Sequence, residues 1–177
     1  MTKEYKGTLY FWAFYRMTGI YLLLGTNLGD RELHLANATA LINQQIGLVV
    51  SRSSVYETDA WGMDAAPLFL NQVLLVNSLL PPLKALEVIL SIENDLGRKR
   101  RDQWESRIID IDMLYYGSQV LQLPELTVPH PRISQRRFTL EPLVEIAPHL
   151  VHPVLMKSHL QLLKSCPDRL NVSKYSE

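Results

Sequence analysis

Apolar positions along the chain switch between continuous runs, typical of buried strands, and helical spacing. Residues 20–24 form one continuous run, and the turn residues at 25–27 end this predicted central strand. Apolar residues recur at helical spacing over 30–45, which predicts a helix. The valine-rich segment 48–58 and the apolar segment 69–79 then predict two strands in hairpin order.

The second half of the chain continues this alternation. A proline pair at 81–82 precedes an apolar stripe of helical spacing, and Gly97 ends the helix that the stripe predicts. Residues 108–116 are rich in isoleucine and tyrosine and predict another strand. A short helix is expected at 138–146, and a further helix with a polar tail at 150–177.

The predicted order β-α-β-β-α-β is that of the ferredoxin-like, or split βαβ, arrangement. We therefore expect an α+β fold, a ferredoxin-like βαββαβ sandwich. Its antiparallel sheet would carry helices packed on its face, with extra C-terminal helices. The expected organisation is an extension at 1–17 outside the core fold, one domain at 18–160 and a C-terminal tail at 161–177. Met17 is a candidate natural start.

Composition and charge narrow the class of protein. The 177 residues include 18 basic and 18 acidic side chains, so the formal net charge is zero and nucleic acid is not an expected partner. The apolar runs at 9–15 and 20–24 are both shorter than the roughly 20 residues of a membrane-spanning helix, so no membrane contact is expected. Cys166 is the only cysteine, which excludes an intrachain disulfide and fits a cytoplasmic location.

Two carboxylates lie two residues apart on the predicted strand 108–116. Residues i and i+2 of a strand share one face, so Asp110 and Asp112 would point the same way with Cα atoms about 6.5 Å apart. Ile109 and Ile111 would then face the core. Paired carboxylates of this kind suit Mg²⁺, which takes oxygen ligands and keeps water and phosphate in its shell. The alternatives are a solvated strand face or structural ion pairs with nearby arginines.

A cationic segment, RKRRDQWESR at 98–107, leads into this strand. Charge runs of this kind are usually solvated surface, but Trp104 favours packing against a ligand or against a closed loop. Arg107 lies three residues before Asp110, close enough to hold a phosphate that metal ions also contact. The combination predicts metal-assisted transfer of a phosphoryl-type group.

Two further motifs have both a structural and a functional interpretation. The glycine-containing turn at 25–29 is either a plain strand-to-helix turn or a phosphate cradle. His130 lies between two prolines and is either structural or a phosphate contact. The other four histidines have no metal-ligand spacing and are expected to be structural or on the surface.

Seven segments in order make the chain similar to the 6-hydroxymethyl-7,8-dihydropterin pyrophosphokinase family of folate biosynthesis. The resemblance covers about 19–155, and it depends on the order and spacing of all seven segments. They are LGTNLG at 24–29, SVYET at 54–58, FLNQV at 69–73, IENDLGR at 92–98, RIIDID at 107–112, LTVPHPR at 126–132 and RRFTLEPL at 136–143.

The resemblance implies a Mg-dependent enzyme that transfers the β,γ-diphosphate of ATP to a pterin hydroxymethyl group and releases AMP. By the same resemblance it would be a monomer that binds these two small molecules. Two Mg²⁺ ions would bind Asp110 and Asp112. The residues implied for pterin are Thr58, Phe69, Asn71 and Phe138; those for ATP are Glu93, Trp104, Arg107, His130 and Arg136; those for catalysis are Arg98, Arg107 and Asp112. The acceptor of the hydroxymethyl proton stays open between Asp112 and a metal-bound water.

The chain departs from the family's usual pattern in three places. Phe69 replaces the usual tyrosine, DAW at 59–61 follows Thr58, and Glu105-Ser106 precedes Arg107. Two other functions are compatible with parts of this pattern. An RNA-binding ferredoxin-like module would need a basic and aromatic strand motif, which the sequence lacks. A Mg-dependent transferase with another acceptor would not require a pterin.

Overall fold

The structure is a computed structural model, and it describes residues 18–62, 67–98 and 107–176. The predicted extension at 1–17 lies outside these residues. Thirteen elements follow in order: β1 (Thr18–Thr26), α1 (Arg31–Gln45), β2 (Gly47–Arg52), β3 (Tyr56–Thr58), β4 (Phe69–Ser78), α2 (Pro82–Asp95), β5 (Asp110–Tyr116), β6 (Leu121–Gln122), β7 (Thr127–Val128), a 3₁₀ turn (Ile133–Gln135), α3 (Arg137–Ile146), α4 (His159–Lys164) and β8 (Val172–Lys174).

The main sheet is antiparallel in every described pairing and has the order β5-β1-β4-β3-β8, with β2 also paired to β4. The first predicted strand therefore lies in the interior of the sheet, between β4 and the aspartate-bearing β5. This position explains its continuous apolar run, because both faces of β1 are covered. The predicted α+β class with an antiparallel sheet is confirmed.

Helices cover both faces of the sheet. Apolar residues of α1 and α2 pack on one face, where Ile111 and Met113 of β5 are buried. Residues of α3 and α4, including Leu140 and Leu162, pack on the other face with Leu23 of β1. The extra C-terminal helices expected from the sequence thus form a second layer. Among the described residues, no helix is long and apolar enough to cross a membrane.

Two details differ from the prediction. Segment 48–58 forms two strands, because hydrogen bonds that involve side chains interrupt the strand ladder at Ser53. The Ser53 Oγ accepts the Val73 amide at 3.0 Å, and the Ser53 carbonyl accepts the Gln72 side-chain amide at 2.8 Å. The polar tail contributes β8, which pairs with β3. The division between 160 and 161 stays a prediction, although α4 runs across it.

The end of α2 turns the chain toward the aspartate strand. Gly97 follows this helix with φ +90°, a conformation that favours glycine. The amide of Arg98 then donates to the Glu93 carbonyl at 3.0 Å. This turn brings the first residue of the cationic segment back beside the helix end.

Candidate active site

Three strands place one row of residues side by side at the end of the sheet. Asp110 on β5 pairs with Gly25 on β1, and Gly25 pairs with Asn71 on β4. Residues directly opposite in an antiparallel pair share a face. Because Gly25 has no side chain, the space between the carboxylate and the amide stays open. A Cβ at Gly25 would lie 3.2 Å from Asn71 Oδ1 and 3.9 Å from Phe69 Cδ1.

Arginines surround the carboxylate of Asp110. Arg98 Nη1 lies 2.6 Å from Asp110 Oδ1, and Arg107 Nη1 contacts Oδ2. Arg98 also pairs with Glu93, which is buried. Glu93 Oε1 in turn accepts the Ile111 amide at 2.8 Å, so α2 is hydrogen-bonded to β5 directly beside the aspartates. The predicted burial of Ile109 and Ile111 opposite the two aspartates is confirmed.

Asn27 fixes the end of the cationic segment. Its Oδ1 accepts the Arg107 amide at 2.6 Å, and its own amide donates to the Arg107 carbonyl at 3.0 Å. Its Nδ2 donates to the Pro67 carbonyl at 3.3 Å. Burial lowers the pKa of Arg107, and the charge of Arg98 lowers it further. The sequence analysis gave Asn27 no role beyond its motif, because the motif does not reveal a partner 80 residues away.

Asp112 lies two residues beyond Asp110 on the same strand, and its side chain is 34% exposed. Its nearest described cation is Arg136, whose Nη1 is 3.5 Å from Asp112 Oδ2. Burial lowers the pKa of Arg136, whereas the negative charge of Asp112 raises it by a smaller amount. The carboxylate of Asp112 is therefore less tightly paired than that of Asp110.

His130 lies beside this second carboxylate. Its amide donates to the Leu114 carbonyl at 2.9 Å, and its Nδ1 accepts the Arg132 amide at 3.2 Å. Burial lowers the pKa of His130, the Asp112 charge opposes this shift, and the charges of Arg136 and Arg132 add to it. Burial therefore favours the neutral form of the imidazole, whose Nδ1 is the acceptor of the Arg132 amide.

The residues expected to bind a pterin lie at the other end of the row. Asn71 Nδ2 donates to Thr58 Oγ1 at 2.8 Å, and both side chains are buried. Thr58 pairs with Phe69 across β3 and β4, and the Phe69 ring is half-buried. Phe138 is in the first turn of α3 and is also half-buried. Buried polar groups beside partly open aromatic rings suit a flat heterocycle with hydrogen-bonding edges.

Trp61, which has no role in the sequence prediction, lies close to two arginines of the site. The Arg136 guanidinium carbon is 5.0 Å from the Trp61 ring centroid and 5.5 Å from that of Phe138. The Arg132 guanidinium carbon is 5.8 Å from the same Trp61 ring. Trp61 was noted only as a departure from the family pattern, since cation–π pairs between distant segments leave no local signal.

The described residues offer a metal two carboxylates, Asp110 and Asp112. Within 18–62, 67–98 and 107–176 there is no group of three or more His, Cys, Asp or Glu residues placed to hold a metal ion. A cation here would need further oxygen ligands from water or phosphate, a shell that Mg²⁺ commonly adopts. The two-carboxylate set fits Mg²⁺ bound together with a polyphosphate. The predicted ATP contact Trp104 lies outside the described residues.

The prediction for the remaining histidines agrees with the structure where their contacts are described. His159 is buried between the Ala147 carbonyl, 2.8 Å from Nδ1, and the Tyr115 hydroxyl, 3.0 Å from Nε2. Burial lowers its pKa to about 4. His152 Nδ1 accepts two amides of the following turn, and Cys166 is buried. These are structural positions.

Comparison with known proteins gives a consistent family. The family profile described as 7,8-dihydro-6-hydroxymethylpterin-pyrophosphokinase (HPPK) matches residues 21–148. The 2-amino-4-hydroxy-6-hydroxymethyldihydropteridine pyrophosphokinase of Bacillus subtilis is 42% identical over 127 residues, which are 71% of this chain and 76% of that protein. The enzyme of the same name from Aquifex aeolicus is 39% identical over 141 residues, covering 80% of this chain and 88% of that protein.

Solved structures agree at the level of the fold. Wild-type Plasmodium falciparum HPPK-DHPS, crystallised with pteroate, superposes with a TM-score of 0.70 at 17% identity, covering 93% of this chain. A second HPPK-DHPS crystal structure, in complex with substrates, gives a TM-score of 0.67 at 13% identity and covers 84% of this chain. The chain spans less than half of each of these longer chains, 43% in both.

Proposed function

The chain belongs to the 7,8-dihydro-6-hydroxymethylpterin-pyrophosphokinase family, and we propose that it transfers the β,γ-diphosphate of ATP to the hydroxymethyl group of 6-hydroxymethyl-7,8-dihydropterin. The products are AMP and the pterin diphosphate, an intermediate of tetrahydrofolate biosynthesis. The row Asp110–Gly25–Asn71 carries this proposal. It joins a pocket of carboxylates and arginines to a pocket of polar and aromatic side chains on one face.

The pterin half of the reaction uses the side chains at the Asn71 end of the row. Thr58 and Asn71 would bind the polar edge of the heterocycle, since their mutual hydrogen bond already holds both groups in place. Phe69 and Phe138 would stack on its two faces. Phenylalanine in place of the family's usual tyrosine at 69 keeps the stacking surface and removes one hydroxyl contact.

The ATP half uses the charged end of the row. Asp110 and Asp112 would hold two Mg²⁺ ions, which when bound screen the charge of the triphosphate. Arg98 and Arg107 would then bind phosphate oxygens, because their present partner Asp110 would face the metal. His130, Arg136 and Trp104 would complete the ATP contacts, and Glu93 would position Arg98 from its buried site.

Positioning accounts for most of the proposed rate enhancement. Asn27 fixes the backbone of Arg107 beside β5, and the rigid strands hold the two pockets in one orientation. An acceptor hydroxyl held in line with the β-phosphorus converts a bimolecular step into an effectively unimolecular one.

All the residues with a proposed role in binding or transfer belong to one chain, so we propose a monomer. With a single cysteine, we propose that it acts in the cytoplasm.

The test is AMP release from MgATP with and without 6-hydroxymethyl-7,8-dihydropterin, followed by chromatography of the nucleotides. AMP that requires the pterin supports the proposal. ADP as the main product would indicate transfer of one phosphoryl group and would overturn it. AMP that forms equally without pterin would indicate hydrolysis or another acceptor and would also overturn it.

A further inference from the structure

The Arg136 side chain is placed mainly by aromatic rings. Its guanidinium carbon is 5.0 Å from the Trp61 ring centroid and 5.5 Å from the Phe138 ring centroid, both within the range of cation–π attraction. Tryptophan gives the strongest such attraction among the aromatic side chains. Only 13% of the Arg136 side chain is exposed, which strengthens this attraction because little water screens it.

The polar contacts of Arg136 are weak by comparison. Its Nε is buried and has no hydrogen-bond partner among the residues that the structure describes. Its Nη1 lies 3.5 Å from Asp112 Oδ2, at the outer limit of a hydrogen bond, whereas Arg98 lies 2.6 Å from Asp110. Arg136 is therefore close to Asp112 without forming the tight pair that Arg98 forms with Asp110.

Trp61 also attracts a second cation. The Arg132 guanidinium carbon is 5.8 Å from the Trp61 ring centroid. The charge of Arg132 lowers the pKa of Arg136, so the two cations repel each other. The indole ring, within 6 Å of both guanidinium carbons, favours both charges, because the ring quadrupole attracts cations.

The place of Trp61 in the chain links the two halves of the site. It follows Thr58 by three residues, in the segment after β3, and its side chain is half-buried. Through Arg136 it reaches Asp112 on β5 and Phe138 on α3. One side chain thus connects the proposed pterin pocket with the proposed metal ligand.

We propose that Trp61 is a positioning residue that holds Arg136 away from a tight ion pair with Asp112. Asp112 then stays available to a divalent cation, and Arg136 stays available to a phosphate oxygen. This inference rests on the proposed function for the identity of its ligands, but the placement of Arg136 does not. Without the indole, the Arg136 guanidinium would close on Asp112 and compete with the metal.

The first measurement tests the placement alone, on the wild-type protein. Ring currents from two flanking aromatic rings should shift the Arg136 Nε–H proton upfield, and this proton should show nuclear Overhauser contacts to indole protons. A random-coil shift without indole contacts would overturn the inference. This result does not depend on whether the protein has any transferase activity.

The second measurement is Mn²⁺ binding followed by electron paramagnetic resonance, in the presence of a non-hydrolysable ATP analogue. Trp61→Leu should raise the Mn²⁺ dissociation constant about fivefold, which corresponds to the loss of a cation–π contact of about 1 kcal/mol. Trp61→Phe keeps a ring and should stay within about twofold of wild type. In an Arg136→Met background, Trp61→Leu should have no further effect.

The double variant separates positioning from folding. If Trp61→Leu weakens Mn²⁺ binding equally with and without Arg136, the indole acts through something other than Arg136 and the inference is overturned. Unchanged Mn²⁺ binding in Trp61→Leu would overturn it as well. Should Trp61→Leu fail to fold, Trp61→Phe and the wild-type resonance measurement still decide. Loss of pterin-dependent AMP formation from all proteins, wild type included, would count against the proposed function only.

Discussion

Gly25 lies opposite Asn71 in the β1–β4 pair, and a Cβ at Gly25 would come within 3.2 Å of Asn71 Oδ1. The same added carbon would lie 3.9 Å from Phe69 Cδ1. Glycine is therefore required here for space between two side chains of the proposed pterin pocket.

Gly25→Ala should raise KM for the pterin more than KM for MgATP. Asn71 must move by a few tenths of an ångström to admit the methyl group, and overpacking of this size disturbs a fixed polar contact. We expect the pterin KM to rise about tenfold, equivalent to 1.4 kcal/mol of lost binding. Steady-state kinetics with each substrate varied in turn would measure both constants.

Gly19→Ala is the matched control on the same strand. Its added Cβ would meet Leu75 Cδ1 at 3.3 Å, the end of a flexible side chain away from the site. Its kinetic constants should equal those of wild type. A Gly25→Ala enzyme with an unchanged pterin KM would exclude Gly25 and Asn71 from the pterin pocket.

Asn27→Ala should mainly lower the rate of transfer. The substitution removes the acceptor of the Arg107 amide and leaves that donor without its partner, which costs about 1–3 kcal/mol. If that energy is lost mostly in the transition state, kcat should fall about tenfold to hundredfold. Rapid-quench measurement of the first turnover would separate this loss from slow product release.

The control for Asn27 is Asn43→Ala. Asn43 also accepts a backbone amide through Oδ1, that of Val49 at 3.0 Å, but far from the site. Asn43→Ala should lose less stability than Asn27→Ala, because Asn43 is exposed and Asn27 is buried, and only Asn27→Ala should lose transfer. Equal activities of the two variants would show that the anchor of Arg107 has no role in catalysis.

Asp110→Ala should abolish transfer, with a loss of about a thousandfold or more in kcat/KM. The substitution removes a proposed metal ligand and leaves Arg98 and Arg107 without their shared carboxylate. Pterin binding in the absence of nucleotide, followed by calorimetry, should change little because Asn71 and Thr58 are intact. Asp95→Ala, an exposed carboxylate at the end of α2, serves as the control. Wild-type turnover in Asp110→Ala would remove this residue from the mechanism.

The pH dependence of stability should reflect His159. Burial lowers its pKa from 6.5 to about 4, so the unfolded state takes up this proton first as the pH falls. The stabilisation from neutral His159 is complete above pH 6.5. As the pH falls from 6.5 to 4, the free energy of unfolding decreases by about 1.4 kcal/mol per pH unit. Urea unfolding at pH 7.0, 6.0 and 5.0 would measure the slope.

His159→Gln should reduce that slope. The buried His152, whose pKa is also lowered by burial, contributes a residual slope of the same sign. An identical slope in His159→Gln and wild type would assign the pH dependence to other groups.

The sequence predicted those parts of the fold that leave a regular local pattern. The apolar run at 20–24 identifies an interior strand, and alternating isoleucines beside Asp110 and Asp112 predict the face of β5 on which both carboxylates lie. The helices follow from apolar spacing and from prolines and glycines at their ends. In each case the signal is contained within a few turns or one strand.

Contacts between distant segments left no such signal. β8 could not be predicted because only Val172 of its three residues is partly buried, and pairing with β3 comes from backbone bonds. The break at Ser53 depends on a side-chain bond to Val73 across the sheet. The charge run at 98–107 predicted a cationic site, but it did not indicate which carboxylates Arg98 and Arg107 contact. The contact between Trp61 and Arg136 likewise joins residues far apart in the chain.

The identity of the transferred group tests the central claim most directly. Phosphorus NMR of a completed reaction with MgATP and 6-hydroxymethyl-7,8-dihydropterin would resolve both products. The proposed function predicts two coupled phosphorus resonances on the pterin and an equimolar amount of AMP. A single uncoupled phosphorus resonance on the pterin, together with ADP, would contradict diphosphate transfer.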